Sequence, residues 1–336
     1  MVAAVIFAQL VNPISVNPIS VIALGSCADE DKPAPIYDRV VEQKPDAVIF
    51  MGDNIYADEP EDKSIAYAKL AAKPGFQRIR SQVPYVLATW DDHDFGINDG
   101  GEEYENKATA QKLFVDFWRD PADSPRRQRP GVYDSYLFGP VGKRTQVIIL
   151  DTRSFRSPLN RQKNVDGSYN AFVPTTKGTL LGDAQWSWLA DQLKQPADLR
   201  VVVSSIQVVP EDHMFEKWSN LPLERARLFG LIKSTGAKGV VFASGDRHLA
   251  ELSMMDGGAG YPMYDLTASA WTNSSLRWRA LEPNRWRVQT MNVGNNFGLL
   301  RTDWDKRTLT FEIRDEAGVI TIRNQISLDL LQPKTS

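Results

Sequence analysis

Residues 89–99, Thr89-Trp-Asp-Asp-His-Asp-Phe-Gly-Ile-Asn-Asp99, place three aspartates and a histidine directly after the apolar run Val86-Leu87-Ala88. Acids delivered by a core segment stay there only if they are paired or bind a cation. The chain has only 3 histidines, and His93 is one of them. Five further apolar runs end the same way. Val21–Leu24 leads into Gly25-Ser-Cys27, Ala47–Met51 into Gly52-Asp-Asn-Ile-Tyr56, and Val147–Leu150 into Asp151-Thr-Arg153. Val201–Ser205 leads into Ile206-Gln207, and Val240–Ser244 into Gly245-Asp-Arg-His248. The candidate ligands are therefore Cys27, Asp53, Tyr56, Asp92, His93, Asp246 and His248, with Asn98 and Gln207 behind them. Carboxylates and imidazoles in this number can hold two or more cations, with one carboxylate bridging a pair. Thiolate, phenolate and carboxylate together suit a hard, highly charged ion such as Fe3+ beside a divalent partner, because a trivalent ion depresses the thiol and phenol pKa most.

Other chemistries find no support. Three histidines cannot make a His-only zinc site next to these acids, and neither His-Glu-x-x-His nor the Gly-x-Ser-x-Gly elbow occurs. A net charge of -3 argues against a nucleic-acid binder that works by counterion release. A lone cysteine excludes an intramolecular disulfide framework.

The elements that must position these residues read as follows. The six apolar runs have the length and β-branched content of buried strands. Between them, Ile36–Gln43, Asn106–Trp118, Asp183–Leu193 and Leu223–Thr235 carry helical periodicity, the last closing at Gly236. Strands separated by helices predict an α/β architecture whose ligand site lies at the carboxyl ends of the strands. Leu300–Asp303, Thr308–Arg314 and Val319–Asn324 alternate apolar and polar residues, as antiparallel strands do. The expectation is a mixed sandwich with helices outside. Residues 123–130, with Arg126, Arg127 and Arg129 among prolines, read as a solvated loop, and Trp186 and Trp188 as packing anchors.

Residues 1–28 contain no Asp, Glu, Lys or Arg, and Val-Asn-Pro-Ile-Ser occurs twice, at 11–15 and 16–20. Residues 1–20 read as a poorly ordered leader or the remnant of a signal peptide, followed by a single catalytic domain over 21–330. That predicts a periplasmic or extracellular location. Leu24-Gly-Ser-Cys27 also has the form of a lipobox. Lipobox cleavage would remove the strand that delivers Cys27 and consume the only thiol, so the ligand reading is preferred.

The order of these motifs resembles the PhoD-like alkaline phosphatases of the metallophosphoesterase superfamily, over residues 21–315. Gly52-Asp-Asn-Ile-Tyr56 is similar to that family's Gly-Asp-x-x-Tyr, and Thr89-Trp-Asp-Asp-His-Asp94 to its Trp-Asp-Asp-His-Glu/Asp block. Ser244-Gly-Asp-Arg-His248 stands in for Gly-His-x-His, and Leu150-Asp-Thr-Arg153, Gln185-Trp-Ser-Trp-Leu189 and Asn296-Phe-Gly298 match further signposts. The resemblance implies a four-layer α/β/β/α sandwich of two mixed sheets flanked by helices. It also implies an Fe3+/Ca2+ cluster, with other divalent ions accepted at the non-iron sites, and hydrolysis of phosphomonoesters and phosphodiesters. It assigns Cys27, Asp53, Tyr56, Asp92, Asp246 and His248 to metal, with Asn98 and Gln207 as further metal or phosphate contacts. His93 is expected to serve as general acid or phosphate donor, and Arg153, before Arg247, as a bidentate phosphate clamp. The expected partner is a small phosphate ester. Two alternatives belong beside this reading: a dedicated phosphodiesterase with phospholipase-D-like activity, and a secreted metal- or phosphate-binding protein without turnover. The stretches Arg277-Trp-Arg279 and Arg285-Trp-Arg287 raise peripheral membrane contact as an expectation.

Overall fold

The period-2 alternation of side chains along each central strand divides the core in two. In the strand Ala47–Met51, Ala47, Ile49 and Met51 join one buried cluster, and Val48 and Phe50 join the other. A strand buried on both faces needs a covering layer on each side. The computed structural model describes residues 15–59, 61–163, 170–276 and 282–333 and shows both layers.

In chain order the strands are β1 (Val21–Gly25), β2 (Ala47–Met51), β3 (Tyr85–Thr89), β4 (Asp134–Phe138), β5 (Thr145–Ile149), β6 (Asn160–Lys163) and β7 (Asn170–Val173). They continue with β8 (Leu199–Ser204), β9 (Val240–Ser244), β10 (Ala250–Met255), β11 (Met263–Ala268), β12 (Asn296–Asp303), β13 (Thr308–Asp315) and β14 (Ile320–Ser327). The helices are α1 (Ile36–Glu42), α2 (Lys63–Ala72), α3 (Pro74–Gln82), α4 (Asp92–Phe95), α5 (Lys107–Phe117), α6 (Pro125–Gln128), α7 (Gly182–Leu193) and α8 (Pro222–Thr235).

One six-stranded sheet has the order β14-β13-β12-β1-β2-β3. The other has the order β10-β11-β9-β8-β5-β4. Each is mixed. β1, β2 and β3 pair in parallel, and β12, β13 and β14 form an antiparallel meander on the β1 edge. β5, β8, β9 and β11 pair in parallel, with antiparallel β4 and β10 outside. Ile22, Leu24, Ile49 and Leu87 of the first sheet pack with Ile149, Val203 and Leu266 of the second in the inter-sheet core. On the outer face of the first sheet, Ala23, Val48, Phe50 and Ala88 meet α1, α2, α3 and α5 through Tyr37, Leu70, Phe76 and Phe114. Trp186 and Leu189 of α7 and Leu228 and Ile232 of α8 cover the second sheet. The four-layer α/β/β/α sandwich expected from the resemblance is what forms.

α8 shows how locally this is written. Pro222 opens it, where a missing N–H costs nothing, and Gly236 closes it in the left-handed region at φ 67°. The six apolar runs are strands, and the four periodic segments are α1, α5, α7 and α8. The stretch 123–130 differs from expectation. It contains α6, and Arg126 is buried at 2% exposure because Asp120 takes its Nε at 2.7 Å and the Ala88 carbonyl takes its Nη1 at 2.9 Å.

Of the segment read as a leader, residues 1–14 lie outside the described residues. Residues 15–20 pack against the sandwich: Ser15 bridges Phe138, Ile19 is buried, and the Trp304 indole donates to the Ile19 carbonyl at 2.9 Å. No helix among the described residues is long and apolar enough to cross a membrane.

Candidate metal centre

The carboxyl ends of parallel strands from both sheets meet at one place. β1 delivers Cys27, β2 delivers Asp53 and β3 delivers Asp91 and the short helix α4, while β9 delivers Asp246 and His248. Close approach of these turns requires glycine. A Cβ on Gly52, which has φ +107°, would lie 2.6 Å from Asp91 Cβ, and one on Gly245 would lie 2.5 Å from Ser26 Oγ. Four ligand candidates themselves adopt the left-handed region: Cys27 (φ 58°), Asp53 (φ 49°), Asp246 (φ 69°) and His248 (φ 55°). Such conformations cost about 1–3 kcal/mol each and persist where the surroundings over-determine them, typically at functional sites. The turn at Asp91 is locked by a reciprocal capping box, in which the Asp94 carboxylate accepts the Asp91 amide and the Asp91 side chain accepts the amide of Asp94.

Three sets of side chains each place one donor atom per residue within 4.8 Å of one another: Cys27, Asp53 and His248; Asp53, Asp92 and His93; and Asp53, Asp91, Asp92 and Asp246. Asp53 belongs to all three, the position of a bridging carboxylate. Its Oδ2 lies 3.4 Å from Cys27 Sγ and 3.4 Å from the Tyr56 hydroxyl, which in turn is 3.5 Å from His248 Nε2. Cys27 is fully buried.

This density of acids carries an electrostatic cost. Burial, and then the charge of Asp92, pushes Asp53 well above the usual carboxylate range. Asp246 is likewise raised well above it, chiefly by burial, with Arg247 opposing. Burial, opposed by Arg153, holds Asp91 at about 7. Burial also drives the Cys27 thiol and the Tyr56 phenol upward, and Asp53 adds to both. Asp92 goes the other way: burial raises it, but His93, Arg153 and the Asp99 amide together outweigh burial and keep it ionised. Asp91 Oδ2 and Asp92 Oδ1 are buried without a hydrogen-bond partner among the described residues. Orphaned carboxylate oxygens pointed among other acids are what a multivalent cation would satisfy, and a cation would reverse each upward shift. The donor set fits a metal cluster.

The structure brings Cys27, Asp53, Tyr56, Asp92, His93, Asp246 and His248 together. The other three candidates lie apart from that constellation. Arg153 is fully buried behind the acids. Its Nε donates to Asp91, its Nη1 to Glu216 at 2.6 Å, and its Nη2 sits 3.9 Å from Asp92 Oδ1. The guanidinium expected to clamp phosphate thus has no exposed surface and already holds two carboxylates, an arrangement suited to positioning the acids. Arg247 is also buried and committed, to Asp246 and Glu282. Gln207 is fully buried, and its amide donates to Glu251 at 2.9 Å and Thr267 at 2.8 Å. Asn98 is exposed at the rim, donating to Asp99 at 2.6 Å, and the Asp99 amide holds Asp92 Oδ2 at 2.7 Å. Arg277-Trp-Arg279 lies outside the described residues. Arg285 pairs with Asp212 and Arg287 with Glu251.

Sequence reasoning missed three contributors. The Asp58 carboxylate accepts from His93 Nδ1 at 2.9 Å, and its place two residues beyond Tyr56 is the available signal. Burial lowers the His93 pKa, but Asp92, Asp53 and Asp58 together raise it to about 11. Ser269, just past β11, lies 3.1 Å from Cys27 Sγ and accepts the His248 amide at 3.0 Å. Glu216 sits between Arg153 and Arg156, and nothing local in the sequence marks it.

Comparisons with known proteins agree with the fold. Alkaline phosphatase D of Bacillus subtilis (strain 168) is 23% identical over 254 residues, covering 63% of this chain and 42% of the relative, so the chain spans under half the length of that protein. A solved structure of PhoD matches with a TM-score of 0.70 at 17% identity, over 94% of this chain and 69% of the other. GAP50, the anchor in the inner membrane complex of Plasmodium, matches with a TM-score of 0.60 at 15% identity, over 95% of this chain and 90% of the other. At those identities the two structures speak for the fold alone. The family model for PhoD-like phosphatases matches residues 64–276, which include Asp92, His93, Asp246 and His248 and begin after Cys27, Asp53 and Tyr56. With more than half of its length matched by that model, the chain belongs to the PhoD-like phosphatase family.

Proposed function

We propose that this protein hydrolyses phosphate esters, both phosphomonoesters and phosphodiesters, with Fe3+ and Ca2+ held by the centre described above. The observation that carries the reading is the shared position of Asp53 in three mutually close ligand sets. Cys27, Asp53, Tyr56 and His248 offer the anionic and imidazole donors that Fe3+ favours, and Asp53, Asp92 and Asp246 offer oxygen donors suited to Ca2+. When bound, such cations neutralise phosphate oxygens and make water nucleophilic at moderate pH.

The protein's own residues supply the rest. Asp58 engages His93 Nδ1 and thereby fixes the ring, leaving Nε2 to donate to the leaving oxygen. Arg153, tied to Asp91 and Glu216, keeps the acidic wall from recoiling. His248 is pushed down to about 4 by burial and then by Arg247, so it is neutral and able to ligate. We place the activity in a single domain over residues 21–330, acting on small esters in a periplasmic or extracellular setting. The non-catalytic alternative is a secreted protein that binds metal or phosphate without turnover, and GAP50, an anchor, has a similar fold. Retention of His93 with its Asp58 partner beside the ligands favours turnover here.

The test is elemental analysis of the purified protein beside turnover of 4-nitrophenyl phosphate and bis(4-nitrophenyl) phosphate. Bound iron and calcium with hydrolysis of both esters is the expected result. A metal-loaded protein that binds phosphate and hydrolyses neither ester refutes the hydrolase reading.

A further inference from the structure

The third histidine lies outside the ligand cluster. His213 belongs to the loop after β8, Asp212-His-Met-Phe-Glu-Lys217, and is 2% exposed. The Phe215 amide donates to His213 Nδ1 at 3.2 Å, so Nδ1 is the acceptor and the proton of the neutral ring sits on Nε2. Burial, reinforced by the charges of Arg247, Lys217 and Arg287, holds the imidazole well below its usual pKa and therefore neutral. Nε2 is then a buried donor, and it has no hydrogen-bond partner among the described residues.

Lys217 closes the same loop at 4% exposure. Its ammonium donates to the Phe215 carbonyl at 2.9 Å. Glu216 and Asp212 attract it from a distance, but their contact partners among the described residues are arginines, Arg153 and Arg156 for Glu216 and Arg285 for Asp212. The third side of this arrangement is Arg247, whose guanidinium lies 4.1 Å from the centre of the Phe215 ring and 3.4 Å from the Asp246 carboxylate. Phe215 thus joins His213, Lys217 and Arg247, and Arg247 joins them to the metal-site wall. A buried ammonium with no carboxylate in salt-bridge contact and a buried N–H with no acceptor, both among the described residues, are costly, and one ligand chemistry relieves both: an oxyanion.

Building on the hydrolase reading, we propose that His213 and Lys217 form a subsite for an oxyanion, phosphate or carboxylate, carried on the leaving side of the substrate. Arg247 stands between this subsite and the metal centre, so the group bound there is separate from the scissile phosphate. Met214 and Phe215 of the same loop are each partly exposed.

Propyl phosphate and propane-1,3-diyl bisphosphate test this, because they share a leaving chain and differ by one phosphate. The wild type should prefer the bisphosphate in kcat/KM. Lys217→Met and His213→Gln should each cut that preference about tenfold, the worth of one charge-assisted hydrogen bond, through KM and not kcat, and Lys217→Arg should restore part of it. No preference in the wild type, or equal losses on both esters, overturns the proposal. Thermal shift separates the subsite from the chemistry. If the wild type hydrolyses neither ester, the hydrolase reading fails, yet stronger stabilisation by the bisphosphate than by propyl phosphate, lost in Lys217→Met, still supports the subsite. A variant melting lower with its ligand discrimination unchanged shows a purely structural loop staple and overturns it.

Discussion

Replacing Arg153 with methionine distinguishes a residue that positions the acidic wall from one that holds substrate. The guanidinium has no exposed surface, and it joins Asp91, Glu216 and, at 3.3 Å, the Gly100 carbonyl. Methionine keeps the volume and removes the charge. Asp91 then retains the Ser205 hydroxyl, at 2.5 Å, and the Asp94 amide but no counter-charge in contact, and Glu216 retains Arg156 at 2.9 Å. Breaking a buried pair from one side costs about 3–5 kcal/mol, because the abandoned carboxylate stays desolvated. For a domain of this size that is a fall in Tm of roughly 4–7 °C. Lysine should rescue little, since a point charge cannot serve Asp91 and Glu216 at once. The assay is thermal unfolding followed by circular dichroism, with metal content and steady-state kinetics on the same samples. The expected pattern is a large Tm loss with reduced metal retention. A clamp would behave differently, and Arg153→Met with wild-type Tm and metal content but a raised KM would refute the positioning role.

Three further outcomes follow from the same geometry. Cys27→Ser should remove or shift the visible absorption of the iron-loaded protein, since thiolate-to-iron charge transfer needs the sulfur; an unchanged spectrum would place iron away from Cys27. Asp58→Asn should slow alkyl phosphates about 10²-fold while slowing 4-nitrophenyl phosphate much less, because only the poor leaving group needs a proton. Equal losses across leaving groups would count against His93 as the acid. Chelator-stripped protein should lose stability as pH rises from about 4 to above 7. Burial, opposed by Arg153 at Asp91 and by the Asp91 and Asn54 amides at Asp94, holds both acids at about 7 when folded. In that window the native state binds more protons than the unfolded chain, so raising pH favours unfolding. Restored metal should flatten the dependence; a stripped protein with a flat Tm from pH 4 to 8 would contradict it.

Much of the fold was legible because each central strand is a short apolar run ended by a polar turn. Ala47–Met51 and Val240–Ser244 read the same in sequence and structure. β11 was not recognised, because Asp265 and Thr267 interrupt its apolar pattern; in the fold Asp265 accepts the amides of Val208 and Val209 and the Ser244 hydroxyl. Missing that strand hid Ser269. Likewise Arg126 among prolines reads as solvated until Asp120 and the Ala88 carbonyl are seen to enclose it.

By itself the sequence determined the donor types and which strand ends carry them, since both are properties of short windows. Asp92 and His93 after β3, and Asp246 and His248 after β9, could be named without coordinates. Only the tertiary structure decided which way the neighbouring charges face. Arg153 sits at a strand end like any ligand, yet it is consumed by Asp91 and Glu216, which lie 62 and 63 residues away in sequence. Gln207 turns to Glu251 and Thr267, and His213 has a nitrogen without a hydrogen-bond partner among the described residues, in the loop that ends at Lys217. A charge's role depends on its desolvation and on its partner, and both are set by contacts between segments remote in the chain.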